Sequence, residues 1–316
     1  MHTRAPLVRV TEPDPCQACG KGDWCSRSAD GAIALCMRVS EGSVRTAANG
    51  AYVHVLRHDP NRPPRVPTVT IAPRPADLRP IVDRACAATP TSWIRDLATR
   101  LGLPLPAGVE ALHRLGVHRA HYDADAILRL APRDARGADK LRWQCRSWLR
   151  CDDVAGFPLV RRGRVVGIRL RVTATSEKRS LSGGREGAFL PDGIAAGAPV
   201  WISEGPTDAA ALLAVGLTAV GRASATGGAD AVVELVRSLR PPAVVVVADN
   251  DPGDKQHVGQ RGAAELALRL ALLVQDVRVC LPPDGTKDSR AAVIAGARRS
   301  DFERAAAMAR PVGNTP

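Results

Sequence analysis

Two apolar runs that each end on acid constrain this chain more than any other feature. Val200-Trp201-Ile202 leads through Ser203 to Glu204, and further on Val244-Val245-Val246-Val247-Ala248 leads to Asp249 and Asp251. Short continuous apolar runs separated by stretches of helical spacing predict strands buried on both faces of a parallel sheet. Ligands of such sheets collect at the carboxyl ends of the strands. Both acidic clusters therefore fall on one edge, where Glu204, Asp249 and Asp251 are candidate ligands for magnesium. That hard cation takes one or two carboxylates and leaves its other positions to water and phosphate. Gly205 and Pro206 open a helix, with proline at its first position, so Asp208 falls in the first turn. Asp208 there reads as a structural acid at a helix N-terminus. The glycine-containing loop at 221–228 follows a strand and is expected to approach phosphate through backbone amides.

Glu204-Gly205-x-x-Asp208 followed by Asp249-x-Asp251 resembles the motif of the Toprim domain, the catalytic fold of bacterial-type primases and of type IA and II topoisomerases. Lys287-Asp288, after a strand at 277–281, matches a third element of that pattern. Primases often carry two acids there, and this chain has one. The resemblance implies a Rossmann-like α/β core with a mainly parallel sheet over residues 198–290. It also implies magnesium or manganese at Glu204, Asp249, Asp251 and Asp288, with Lys287 toward the nucleotide, and it gives Asp208 support of that catalytic site as a reading equal to the structural one.

The stretch before this core extends the resemblance. Phe157-Pro158-Leu159, then Gly163-x-Val165-Val166-Gly167-x-Arg169-x-Arg171, then Lys178, resembles the small subdomain that precedes Toprim in primases. Alternation of Val165, Gly167, Arg169 and Arg171 against Val166, Ile168, Leu170 and Val172 predicts a strand with one basic face. A solvated strand face would alternate in the same way. The resemblance implies instead that Arg169, Arg171 and Lys178 hold template backbone or a nucleoside triphosphate. Helical spacing marks Ile81, Val82, Ala85 and Cys86, then Trp93, Ile94, Leu97 and Leu101, with Ser92 as the expected cap. A shorter helix follows over 109–115, and the pair could also be a helix-turn-helix reader. Trp143, Cys145, Trp148 and Cys151 read as core. Residues 81–197 are thus expected to form a small basic α+β subdomain, and 291–316 one helix and a tail.

Cys16, Cys19, Cys25 and Cys36 make the N-terminal stretch distinct. Cys-x-x-Cys followed by Gly20 resembles a zinc knuckle, whose turn aims two thiolates at one ion. If Asp30-Gly31 makes a two-residue hairpin turn, Cys25 and Cys36 face each other, with Cβ atoms about 5 Å apart. The alternatives are a cross-strand disulfide or four small hydrophobes, and His54 and His58 are possible substitute ligands. A ribbon over 1–56 resembles the N-terminal zinc domain of bacterial-type primases. Seven prolines between residues 57 and 80, interspersed with arginine, predict a semi-rigid linker.

Net charge is +12, and lysine stands only at Lys21, Lys140, Lys178, Lys255 and Lys287, so arginine carries most of the positive charge. Acidic metal motifs within a basic chain point to a polyanionic partner. Scarce aromatics argue against broad base-stacking platforms. No apolar run reaches the length of a membrane helix, and the first residues lack the apolar core of a secretory signal. Half of the eight cysteines are scattered, which suits a reducing cytoplasm. The expected activity is DNA-primase-like: short RNA primers made on single-stranded DNA from nucleoside triphosphates, with a replicative helicase, where one is used, in trans. A Toprim nuclease or a non-catalytic zinc and Toprim recombination mediator would carry many of the same residues. A topoisomerase needs a tyrosine on a separate large domain, and only Tyr52 and Tyr122 exist.

Overall fold

The computed structural model describes residues 7–47, 51–56, 76–149, 153–175, 177–194, 197–225, 227–250 and 258–313. Contacts divide the chain into two units, residues 1–72 and 73–316. Most of the expected linker (57–75) lies outside the described residues, as do His58, Cys151 and Asp251.

In the first unit, β1 (Leu7–Arg9), β2 (Ser26–Ser28), β3 (Ile33–Cys36), β4 (Arg45–Thr46) and β5 (Tyr52–Val55) form an antiparallel sheet in the order β1-β2-β3-β5-β4. The β2–β3 connection is longer than a two-residue Asp30-Gly31 turn. The Gly31 amide donates to Ser28 O at 2.8 Å, and the Ile33 amide donates to Ser28 Oγ at 2.9 Å. The connection still holds an even number of residues, so the register is the expected one. Ser26 pairs with Leu35 and Arg27 with Ala34, and one step further Cys25 faces Cys36.

The second unit is built on one sheet. Its strands among the described residues are β6 (His118–Arg119), β7 (Val154–Arg161), β8 (Arg164–Val172), β9 (Lys178–Ser180), β10 (Ala188–Phe189), β11 (Val200–Glu204), β12 (Ala219–Arg222), β13 (Ala243–Val247) and β14 (Asp276–Cys280). Their order is β14-β13-β11-β12-β10-β7-β8-β9, with β6 against β7. The run from β14 to β12 is parallel, and the rest is antiparallel. The pivot is β10, two residues long, with Ala188 paired to both Val160 and Arg222.

Alternate residues of the parallel strands enter different cores. Val200, Ile202, Val220, Val244 and Val246 pack with α7 (Ala229–Leu239) and α8 (Val258–Ala271). Trp201, Val245 and Val247 pack with α2 (Thr91–Arg100), α3 (Ala107–Arg114), α6 (Pro206–Ala214) and α10 (Arg299–Met308). Burial on both faces is why these strands read as unbroken apolar runs. α6 is buried from Thr207 to Leu213, which leaves it little freedom to shift. The antiparallel half is covered by α1 (Arg79–Ala88), α4 (Ala124–Leu130) and α5 (Ala135–Trp143), around Ile168, Leu170 and Leu141.

Several local expectations need correction. Ser92 does not cap α2, because Pro90 holds the N-cap position in an extended conformation and starts the helix two residues early. Ile94, Leu97, Ala111 and Leu112 of α2 and α3 are buried in the shared core, so the pair's apolar faces serve packing. Cys145 is buried, but Trp143 is half exposed. Trp143 stands two residues past buried Leu141, on the opposite face of α5, whereas Cys145 and Leu149, four and eight residues on from Leu141, return inward through the π turn Gln144–Trp148. Beyond 288 there are two helices, α9 (Ser289–Ile294) and α10, not one. The following segment is tied down: the Val312 amide donates to Val277 O at 2.7 Å. Among the described residues no helix is long and apolar enough to cross a membrane.

Candidate active site

Parallel pairing sets the rim. Val200 pairs with Val244 and Ile202 with Val246, so Glu204 at the end of β11 and Asp249 just past β13 arrive at the same edge. Both line a cleft of about 510 Å³, together with Asp208, Lys287 and Asp288. Its opposite wall is the basic face of β8 and β9, with Arg169, Arg171 and Lys178. The structure thus brings every described candidate of the second unit into one cleft.

Backbone close to the rim is shaped for this approach. Gly205 links β11 to α6 at φ +93°, a conformation that side chains disfavour. A Cβ at Gly221 would lie 2.5 Å from Gly205 O, so only glycine lets β12 pass that turn. In the loop after β12, two glycine amides are already turned to acceptors within the protein. Gly227 N–H donates to Ser224 Oγ at 2.9 Å and Gly228 N–H to Glu186 Oε2 at 3.2 Å. The expected phosphate cradle at 221–228 therefore has amides already bonded within the protein.

The acids differ in their surroundings. Glu204 Oε2 is buried and, among the described residues, has no hydrogen-bond partner. The Arg222 guanidinium lies 3.6 Å away, within reach of an ion pair but beyond a hydrogen bond. A carboxylate oxygen left without a donor suits a hard cation. Asp208 is 7% exposed. It accepts from the Arg290 amide at 3.0 Å and from Thr207 Oγ1 at 3.4 Å, tying α6 to the start of α9. Burial, reinforced by the neighbouring Asp288 charge, pushes its carboxyl up to about 7. Asp288 caps α9 through a 2.7 Å bond from the Ala291 amide, so one of its oxygens is engaged. The Asn250 amide donates to Lys287 O at 2.7 Å and clips the two acidic loops together. Among the described residues the carboxylates do not converge as a three-ligand cluster, whereas the four cysteines do. The residues fit a magnesium ion that keeps water and phosphate ligands, not an enclosed one.

Arg171 and Lys178 are directly paired across β8 and β9, two residues along from Arg169 paired with Ser180. Like charges directly opposite each other are destabilising, and here they face acids and an open cleft. Two further arginines carry weight at the rim. Arg290 donates to Leu101 O at 3.3 Å and borders the cleft. Arg222 is 2% exposed at the end of β12. In so arginine-rich a chain, neither stands out by residue type.

The first unit holds the second cluster. The sulfurs of Cys16, Cys19, Cys25 and Cys36 all lie within 4.8 Å of one another. Cys19 Sγ stands 3.7 Å and Cys36 Sγ 4.0 Å from Cys25 Sγ. Four sulfurs about 2.3 Å from one zinc stand about 3.8 Å apart, and a disulfide would need about 2.05 Å. Amides of Met37, Arg38 and Val39 point at the Cys25 and Cys36 sulfurs at 3.3–3.4 Å. Burial pushes the Cys25 thiol up to about 12, so a bound cation is what makes a thiolate there favourable. The four cysteines fit zinc. His54 is not a substitute ligand, since its Nε2 is within hydrogen-bond distance of Val39 O at 2.9 Å.

A parallel α/β core of Toprim type, extended by an antiparallel half and preceded in sequence by a four-cysteine ribbon, is the architecture these observations define. Its fold is similar to that of solved structures. A DnaG primase catalytic domain bound to single-stranded DNA aligns with 74% of this chain and 78% of its own, at 19% identity and a TM-score of 0.51. A DnaG catalytic core aligns with 74% of this chain and 79% of its own, at 18% identity and a TM-score of 0.49. The zinc-binding and RNA polymerase domains of the Aquifex aeolicus primase align with 72% of this chain and 60% of their own, at 16% identity and a TM-score of 0.49. No family model matches the chain, and neither does any curated protein. The chain resembles bacterial-type DNA primases in fold.

Proposed function

We propose that the chain is a DNA-primase-like nucleotidyltransferase that makes short RNA primers on single-stranded DNA. The observation that carries this reading is the cleft itself. Glu204, with an unpartnered carboxylate oxygen, and Asp249 stand on one wall, and Arg169, Arg171 and Lys178 on the other. One wall suits a divalent cation and the other suits phosphate. A fold neighbour was solved with single-stranded DNA bound, which agrees with the template class proposed here.

Glu204 and Asp249 would hold a magnesium or manganese ion, with Asp251 and Asp288 as additional ligands. Such an ion supplies charge neutralisation at the phosphates. The protein's own share is positioning. Arg169, Arg171, Lys178 and Lys287 would bind the triphosphate and template backbone through their charge. Asp208 and the Asn250–Lys287 clip would keep the acidic loops in place. In the reaction the 3′-hydroxyl oxygen of one nucleotide bonds to the α-phosphorus of the next and gives up its proton to water. The bond from that phosphorus to the β-phosphate bridge breaks, and pyrophosphate leaves. The four-cysteine ribbon would carry zinc.

The test is incubation with single-stranded DNA, ribonucleoside triphosphates and magnesium or manganese. Short RNA is expected from the parent chain, and Asp249→Ala is expected to lower the rate about a thousand-fold with its circular dichroism unchanged. Cleaved DNA without synthesis would favour the nuclease. DNA binding without either reaction would favour the recombination mediator.

A further inference from the structure

Arg222 is the most deeply buried charged side chain near the cleft, at 2% exposure, and its contacts are unusual for an arginine in a strand. It is in register with Glu204 on the neighbouring parallel strand. Its Nη1 donates to Ala225 O at 2.8 Å and to Gly262 O at 2.9 Å, and Nη2 reaches Gly259 O at 3.4 Å. One guanidinium therefore joins three separate pieces of chain: the end of β11, the loop after β12 and the first turns of α8. The junction is built closely. A Cβ at Gly262 would lie 2.0 Å from Ala225 O, so glycine is what lets α8 and the loop meet over the guanidinium.

Toward Glu204 the arrangement stops short. The 3.6 Å separation leaves Oε2 attracted but not hydrogen bonded. A guanidinium in full contact would occupy the lone pairs that a cation needs. At this distance it attracts the carboxylate and leaves Oε2 without a donor. A lysine could supply the charge, but it has no planar fork to reach three carbonyls at fixed angles.

We infer that Arg222 is a positioning residue of the divalent-cation site, acting through Glu204 by locking the loop after β12 and the start of α8 around it. The inference rests on the cation site proposed above. Outer partners of metal ligands set affinity as well as orientation, and losing one typically weakens binding about 10- to 100-fold.

The experiment is titration of the full chain with manganese alone, followed by the loss of free-ion electron paramagnetic resonance signal, with melting temperature measured in parallel. Arg222→Lys keeps the charge and loses the fork, and Arg222→Met keeps bulk without charge. Both are expected to bind manganese at least about tenfold more weakly than the parent. In a Glu204→Gln background Arg222→Lys is expected to change affinity little further, since the effect passes through Glu204. Lower melting temperature with unchanged manganese affinity would overturn the inference and leave Arg222 a structural residue. Tighter binding in Arg222→Met with unchanged binding in Arg222→Lys would also overturn it, because charge repulsion alone would then operate. If Arg222→Met does not fold, Arg222→Lys decides. A parent chain that binds no manganese at the cleft, with Asp249→Ala indistinguishable from it, would remove the cation site itself and the inference with it.

Discussion

The four-cysteine ribbon and the carboxylate rim make opposite use of their ligands. In the ribbon the ligands are the core: Cys16, Cys25 and Cys36 are each at most 1% exposed, and little besides Val10 and Ala34 is buried with them. So small a unit cannot bury enough apolar surface to hold itself. At the rim, ligands are guests on a fold made elsewhere, by Val and Leu layers on both faces of the sheet. A metal bound by the ribbon is therefore folding energy. A metal bound by the rim is chemistry, and the open geometry keeps it exchangeable.

Metal removal separates the two most sharply. Stripping zinc with a strong chelator, or substituting Cys25→Ser, is expected to abolish folding of residues 7–56. Structural zinc contributes about 10 kcal/mol or more to a unit of this kind. Hydrogen exchange should show protection lost across β2, β3 and β5. A ribbon that stays protected without metal would break the contrast.

The next effect is the converse. Glu204→Gln is expected to cost about 10²- to 10³-fold in primer synthesis while the melting temperature of residues 73–316 falls by little, because Oε2 makes no hydrogen bond to lose and only the 3.6 Å ion pair with Arg222 goes. A large loss of stability would mean that the rim, like the ribbon, is structural.

How far this contrast was legible follows from how each region encodes itself. Cysteine spacing and the even-numbered connection fix Cys25 opposite Cys36 whatever the turn type, so the ribbon could be read without knowing its loop. The rim was legible because a strand buried on both faces has no polar positions until it ends, and Glu204 and Asp249 mark those ends. What joins the parallel half to the basic hairpin was not legible. β10 is Ala188-Phe189, too short to carry a period of two. Arg222 was hidden for a different reason. Its role comes from burial and from Gly262 on a distant helix, and no local pattern links the two. Trp143 read as core by residue type, but two residues past Leu141 it falls on the outer face of α5.

A smaller effect sharpens the comparison within the rim, where Asp208 is buried as the cysteines are. A carboxyl held at about 7 in the folded chain keeps its proton at pH values where the unfolded chain, near 4, has lost it. Folding then binds a proton, and stability falls as pH rises from about 4 to about 7. Asp208→Asn is expected to raise the melting temperature by several degrees at pH 8 and by little at pH 4. Equal shifts at both values would show that Asp208 is ionised throughout.

The smallest effect concerns the wall opposite the acids. Lys178 is exposed and paired across the strands with Arg171, so it makes no core contact whose loss would be felt. Relief of like-charge repulsion should leave the stability of Lys178→Ala unchanged or slightly higher. Binding of single-stranded DNA should weaken only several-fold, because one phosphate contact among many is removed. The slope of log affinity against log salt should become shallower by about 1 unit or slightly less. Affinity alone would not distinguish this from a general loosening of the cleft, whereas the slope counts the charges released. An unchanged slope would place the nucleic acid elsewhere on the basic surface, and the cleft's basic wall would then be left to the nucleoside triphosphate alone.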